Sequence, residues 1–116
     1  MHCGPDYVTI LAFGQQASTT MRPSEAFDFY RPMIRRVVEA NQACNPRVFG
    51  SIARRDDNDQ SDVDLLVDTT RATTLFDIAE IELKLERLMG VPVHVTTTGA
   101  LRGRLRARIL TDAQAV

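Results

Sequence analysis

Two stretches of this chain could do chemistry together. The first is Val48-Phe49-Gly50-Ser51-Ile52-Ala53-Arg54 and the second is Ser61-Asp62-Val63-Asp64-Leu65-Leu66-Val67. A glycine directly after a strand lets the backbone turn sharply and lets a phosphate approach it. The Ser51 hydroxyl and the N–H groups of a helix start can then bind the phosphate oxygens. Gly50, Ser51 and Arg54 are therefore the candidate nucleotide-binding residues. Asp62 and Asp64 lie two residues apart, so on a strand they project from one side, with backbones about 7 Å apart. Paired carboxylates are hard oxygen ligands of the kind that bind Mg²⁺ jointly with triphosphate oxygens. The pair is the candidate metal site and part of the candidate catalytic set.

An Asp-x-Asp pair alone would more often be a solvated edge strand. Here both acids open an otherwise apolar run, and a Gly-Ser turn lies upstream with residues 52 to 61 between. Other charged clusters carry less. Asp56, Asp57 and Asp59 suggest a calcium loop starting at Asp57, but the position that must be glycine is Asp62 and the closing glutamate is Asp68. These three acids read as a solvated loop. Arg102 and Arg106 share a face of a closing helix and could attract a triphosphate or an acidic partner, although any exposed helix shows such charges.

The elements that must position these residues follow from periodicity. Pro32 to Ala43 reads as a helix with Ile34, Val37 and Val38 on one face, ended by Asn45-Pro46. Arg47, Val48 and Phe49 read as a short strand, and Ala53 to Ser61 as a loop. Asp62 to Val67 reads as a strand with the acids on one face and Val63, Leu65 and Val67 on the other. Thr74 and Asp77 form a capping box opening a helix to Met89, stopped by Gly90. Its main stripe is Ile78, Ile81, Leu85 and Leu88. A second apolar flank, Leu75, Phe76, Ala79 and Leu83, reads first as core and second as a partner surface. Val91, Val93 and Val95 alternate with Pro92, His94 and Thr96 in a third strand. A last helix spans Leu101 to Leu110 with Leu101, Leu105 and Ile109 as its buried stripe. The expected fold class is α/β, a small mixed sheet with helices packed on it. Residues 1–20 read as an N-terminal extension with strand propensity in Tyr7 to Leu11, and 21–116 as a single domain.

The 116 residues suit one core and not two, and 44% hydrophobic with 25% charged residues is ordinary for a globular chain. No uncharged run is long enough to span a membrane, and the start makes a poor signal peptide, so a cytoplasmic location is expected. Cys3 and Cys44 are too few for a disulfide framework and read as free thiols. A net charge of -1 and the lack of a basic, aromatic-lined groove argue against nucleic acid as a partner. The sequence leaves a homo-oligomer open.

Gly-Ser, ten residues and Asp-x-Asp resemble the signature of the polymerase-beta-like nucleotidyltransferases in their minimal antitoxin (MNT) form. The likeness continues through Leu75-Phe76-Asp77 and the closing helix, over roughly residues 30 to 113. The resemblance implies a mixed sheet with packed helices and transfer of a nucleotidyl group from ATP with Mg²⁺. It further implies an antitoxin that adenylylates a tyrosine of a partner toxin of the helical HEPN type. One position departs: where the family carries a third carboxylate in a Val-Asp-Val sequence, this chain has Val93-His94-Val95. Strand parity puts His94 on the Asp62 and Asp64 side, where an imidazole is a poor Mg²⁺ ligand but a competent proton acceptor. Two readings follow. One is an enzyme with Asp62, Asp64 and His94 as catalytic residues. The other is a degenerate nucleotidyltransferase fold that neutralises its partner by binding alone.

Overall fold

A computed structural model describes residues 22–116. The expectation of a strand or tail in residues 1–20 lies outside the described residues. The elements run α1 (Pro23–Phe29), α2 (Arg31–Ala40), β1 (Ala43–Phe49), α3 (Ser51–Arg54), β2 (Val63–Thr69), α4 (Leu75–Met89), β3 (Val93–Thr97), a 3₁₀ turn (Thr98–Ala100), α5 (Gly103–Asp112) and β4 (Gln114–Ala115). The sheet order is β3-β2-β1-β4. β1 is antiparallel to β2 and to β4, whereas β2 and β3 are parallel, so the sheet is mixed as expected.

The parallel pairing has a topological cause. Helix α4 is a crossover that carries the chain from the end of β2 back to the start of β3. Thr74 caps it by accepting from Asp77 N–H at 3.2 Å, and Asp77 returns the bond to Thr74 N–H at 2.9 Å. Gly90 stops it in the left-handed region at φ 74. Ile81, Leu85 and Leu88 pack against Ile34, Val38, Val63, Leu65 and Val67 in the main core. Each of the largest buried side chains contributes about 1.5–3 kcal/mol through burial, and Leu85→Ala would cost about 2–5 kcal/mol with its cavity.

β3 is one of the two edge strands among the described residues, and α4 also covers its outer edge. Glu86 accepts from Val93 N–H at 3.1 Å and Glu82 from Val95 N–H at 2.8 Å. These bonds satisfy donors that an edge strand would otherwise offer to another chain, and they fix the strand that carries His94.

Several expected boundaries shift. α2 ends at Ala40 and not at Ala43, because Asn41 turns its side-chain amide back onto Val37 C=O and Gln42 takes φ 66. β1 is seven residues long, not three. Asn45-Pro46 ends no element: a bulge between Cys44 and Arg47 absorbs both residues, Asn45 at φ 52. Part of the expected 53–61 loop belongs to the short helix α3, and α1, the 3₁₀ turn and β4 are additional. The last helix spans 103–112 rather than 101–110, and its expected stripe is incomplete. Leu101 and Ile109 are buried, but Leu105 is exposed because the helix meets the sheet only at its C-terminal end. The second flank of α4 is not core: Leu75 is 86% exposed, Phe76 82% and Leu83 50%.

The solvated-loop reading of the early acids fails at Asp57, which is buried. Its Oδ2 accepts from Ser24 N–H at 3.0 Å, placing a negative charge on the first turn of α1. Arg22 bonds the Asp57 carbonyl and lies 3.5 Å from Oδ1. Asp57 is thus a cap supplied from a distant loop.

Candidate active site

Strand parity divides β2 into two chemistries. Val63, Leu65 and Val67 enter the main core, while Asp62, Asp64, Leu66 and Asp68 face the other way. That second face is itself divided. Leu66 is sealed by Phe49, Leu101 and Ile109, so the C-terminal segment covers its middle. Asp68 is occupied by Asn45 at 2.9 Å and Arg47 at 2.5 Å, and these bonds, Asn45's first, hold its carboxyl below the ordinary range. On this face, among the described residues, the Asp62 and Asp64 end is the part left uncovered.

The Gly50 turn meets that end. Phe49 is the register partner of Asp64, so the chain reaches Gly50 beside the Asp64 carboxylate. Gly50 has φ 75 and ψ -151, a conformation open essentially to glycine alone. A Cβ there would stand 2.7 Å from Asp64 Oδ2. Backbone strain and close approach therefore demand glycine for separate reasons. Ser51 then opens α3, whose first N–H groups point out of the helix start.

Asp64 is half-buried, and burial is the main reason its carboxyl is pushed above the ordinary 3.8. His94 and Arg54 pull it down and Asp62 pushes it further up. No protein donor within hydrogen-bond distance of Asp64 offsets the cost of its charge among the described residues. Such an acid gains most from a cation.

His94 lies where strand parity puts it. It is the register partner of Asp64, and its Nε2 lies 2.9 Å from Asp62 Oδ2. Asp62, Asp64, His94, Gly50 and Ser51 therefore gather at one end of the sheet. Arg54 is tied sideways, to Asp112 at 2.9 Å and Asp56 at 3.3 Å. It borders an open cavity of about 460 Å³ lined by Arg54, Ala107, Arg108, Thr111 and Asp112. Sequence reasoning singled out Arg102 and Arg106 on this helix. Arg102 instead bonds the carbonyls of Gly99 and Leu101, and Arg108 is the arginine at the cavity. No sequence motif marks Arg108, Thr111 or Asp112; helix periodicity alone relates them.

Among the described residues, no three His, Cys, Asp or Glu side chains form a group placed to hold a metal. The two carboxylates still fit Mg²⁺, which commonly takes one or two protein carboxylates and fills its shell with water and phosphate oxygens. No helix among the described residues is long and apolar enough to cross a membrane.

Comparison with known proteins agrees with this fold. A protein of Methanocaldococcus jannaschii named "putative protein adenylyltransferase" is 35% identical over 66 residues, 57% of this chain and 71% of its own. A solved structure described as a "putative minimal nucleotidyltransferase" superposes with a TM-score of 0.75 at 35% identity, covering 84% of this chain and 98% of that one. A toxin-antitoxin crystal structure with AMP-PNP shares the fold, with a TM-score of 0.64 at 17% identity over 72% of this chain and 69% of that one. Residues 34–116 match the nucleotidyltransferase domain, and the chain belongs to that family.

Proposed function

We propose that this chain transfers AMP from ATP to a hydroxyl of a partner protein, acting as an MNT-type antitoxin on a HEPN-type toxin. The observation that carries the reading is the approach of the Gly50 backbone to Asp64, so close that a Cβ would clash with the carboxylate, which sets a phosphate-binding turn beside an acid suited to a cation. Asp62 and Asp64 would hold Mg²⁺, whose charge, when bound, offsets that of the triphosphate. Gly50 and Ser51 bind the phosphates through backbone N–H groups and the hydroxyl. Arg54, at the end of the same turn, adds a positive charge once it exchanges Asp56 or Asp112 for phosphate. The acceptor oxygen bonds to the α-phosphorus as the bond to the bridging oxygen breaks. Pyrophosphate leaves with the electron pair and the hydroxyl proton passes to water. Relatives named as adenylyltransferases support ATP as donor, and the toxin-antitoxin structure with AMP-PNP supports a toxin as acceptor.

A second reading rests on the α4 flank. Leu75, Phe76 and Leu83 form an exposed apolar stripe on one helix, which suits neutralisation of a partner by contact alone with the nucleotide site degenerate. Incubation with ATP labelled at the α- or the γ-phosphate, in the presence of the candidate toxin, separates the two. Label arriving on the partner from the α position only supports transfer. Partner inhibition without label supports contact alone.

A further inference from the structure

His94 stands where the family resemblance calls for a third carboxylate, and its geometry suits neither a metal ligand nor a base acting through Nε2. The ring comes from β3 and reaches across one strand spacing to Asp62, with Nε2 2.9 Å from Oδ2. A carboxylate in the form that binds a cation has only acceptors, so the proton in this bond must sit on Nε2. With that proton in place Nε2 has no lone pair to offer a metal or an acceptor hydroxyl. We infer that His94 is a positioning residue: Nε2–H donates to Asp62 Oδ2 and fixes the carboxylate so that its other oxygen faces Asp64 and the Gly50 turn.

The fold supports this assignment at both ends of the bond. Asp62 precedes the first residue of β2, so strand pairing holds its backbone less firmly than that of Asp64. Its side chain has no other hydrogen-bond partner among the described residues. β3 is in turn held to α4 through Glu82 and Glu86, which makes His94 a fixed point from which to orient Asp62. A donor that orients a metal-binding carboxylate replaces a third ligand by making the remaining two more effective.

The inference rests on the nucleotidyltransferase reading, and the test separates the two. Binding of Mg²⁺ with AMP-PNP is measured by calorimetry for the wild-type chain, His94→Gln and His94→Ala. Glutamine offers an N–H near the position of Nε2 but no base. The expected result is that His94→Gln keeps wild-type affinity while His94→Ala loses about 10- to 100-fold. Equal affinity in all three, or equal loss in both variants, would overturn the positioning role while leaving nucleotide binding established. Absence of binding by the wild-type chain would overturn the nucleotide reading and this inference with it. A metal-free readout is independent of nucleotide: imidazole ¹⁵N shifts of His94 should show a protonated Nε2. A ring protonated at Nδ1 alone would overturn the inference.

Discussion

Asp57 and Asp64 are both drawn away from water, and the fold treats them in opposite ways. Asp57 receives the Ser24 N–H at the first turn of α1 and lies beside Arg22. Burial raises its carboxyl, yet the Ser24 bonds and the Arg22 charge outweigh burial and leave it below the ordinary value. Asp64 receives no such donors among the described residues, so burial dominates and its carboxyl is raised. Asp57, the acid that serves structure, is held by its own chain through one oxygen and a nearby arginine. Asp64 is left short of partners, and that difference points to it as a candidate ligand-binding acid without reference to sequence motifs.

The comparison breaks most readily at Asp64. Asp64→Asn should abolish transfer of the α-phosphate label while raising the stability of the ligand-free fold, because it removes an uncompensated charge. The sign follows from linkage. A raised folded pKa means the folded chain holds more protons than the unfolded one between 3.8 and the raised value, so stability falls as pH rises through that window. Denaturant melts should therefore show Asp64→Asn more stable than wild type near neutral pH, with the gap closing below 3.8. A variant that is less stable near neutral pH would remove the argument from uncompensated burial.

Gly50→Val comes next. It places a branched side chain in a glycine-only conformation, at about 1–3 kcal/mol, and drives its Cβ onto the Asp64 carboxylate. Both stability and nucleotide affinity should fall, in thermal melts and titrations respectively. Normal nucleotide binding by this variant would mean that the phosphate lies elsewhere.

Asp57→Ala sharpens the contrast from the structural side. Losing the cap of α1 should cost about 1–2 kcal/mol in denaturant melts and leave nucleotide affinity unchanged. Asp57 has a lowered folded pKa, so its contribution is full above 3.8 and is lost as pH falls through the lowered value, the reverse of Asp64. Acid titration of wild type and Asp57→Ala should therefore converge at low pH.

How far each region could be read from sequence follows the same division. The β2 alternation placed Asp62 and Asp64 on one face and the valines on the other, and His94 followed by parity, because a period of two is a local property. The capping box and Gly90 bounded α4 for the same reason. Asp57 was not legible, since its partner Ser24 lies in a helix of only seven residues with too little periodicity to detect. Asn45-Pro46 reads as a stop, and only pairing with β2 shows that a bulge carries β1 through it. Parity also could not separate Asp68 from the site, since Asn45 and Arg47 reach it from the neighbouring strand. The exposure of Leu105 and of the α4 flank depends on where helices end against the sheet, which a sequence pattern does not contain.

The smallest effect is expected at Ser51. Ser51→Ala removes one hydroxyl and should weaken nucleotide binding by about 1 kcal/mol, roughly fivefold, with no change in melting. A loss as large as that of Gly50→Val would show that the hydroxyl, and not the backbone, dominates phosphate contact.

The central claim is that Asp62 and Asp64 at the Gly50 turn form a cation-dependent nucleotide site. Calorimetric titration of AMP-PNP into the wild-type chain, Asp62→Asn and Asp64→Asn, each with Mg²⁺ and with EDTA, tests it most directly. The account predicts binding by the wild-type chain with Mg²⁺, none with EDTA, and none by either variant in either condition. Binding of equal strength in EDTA, or in both variants, would contradict it.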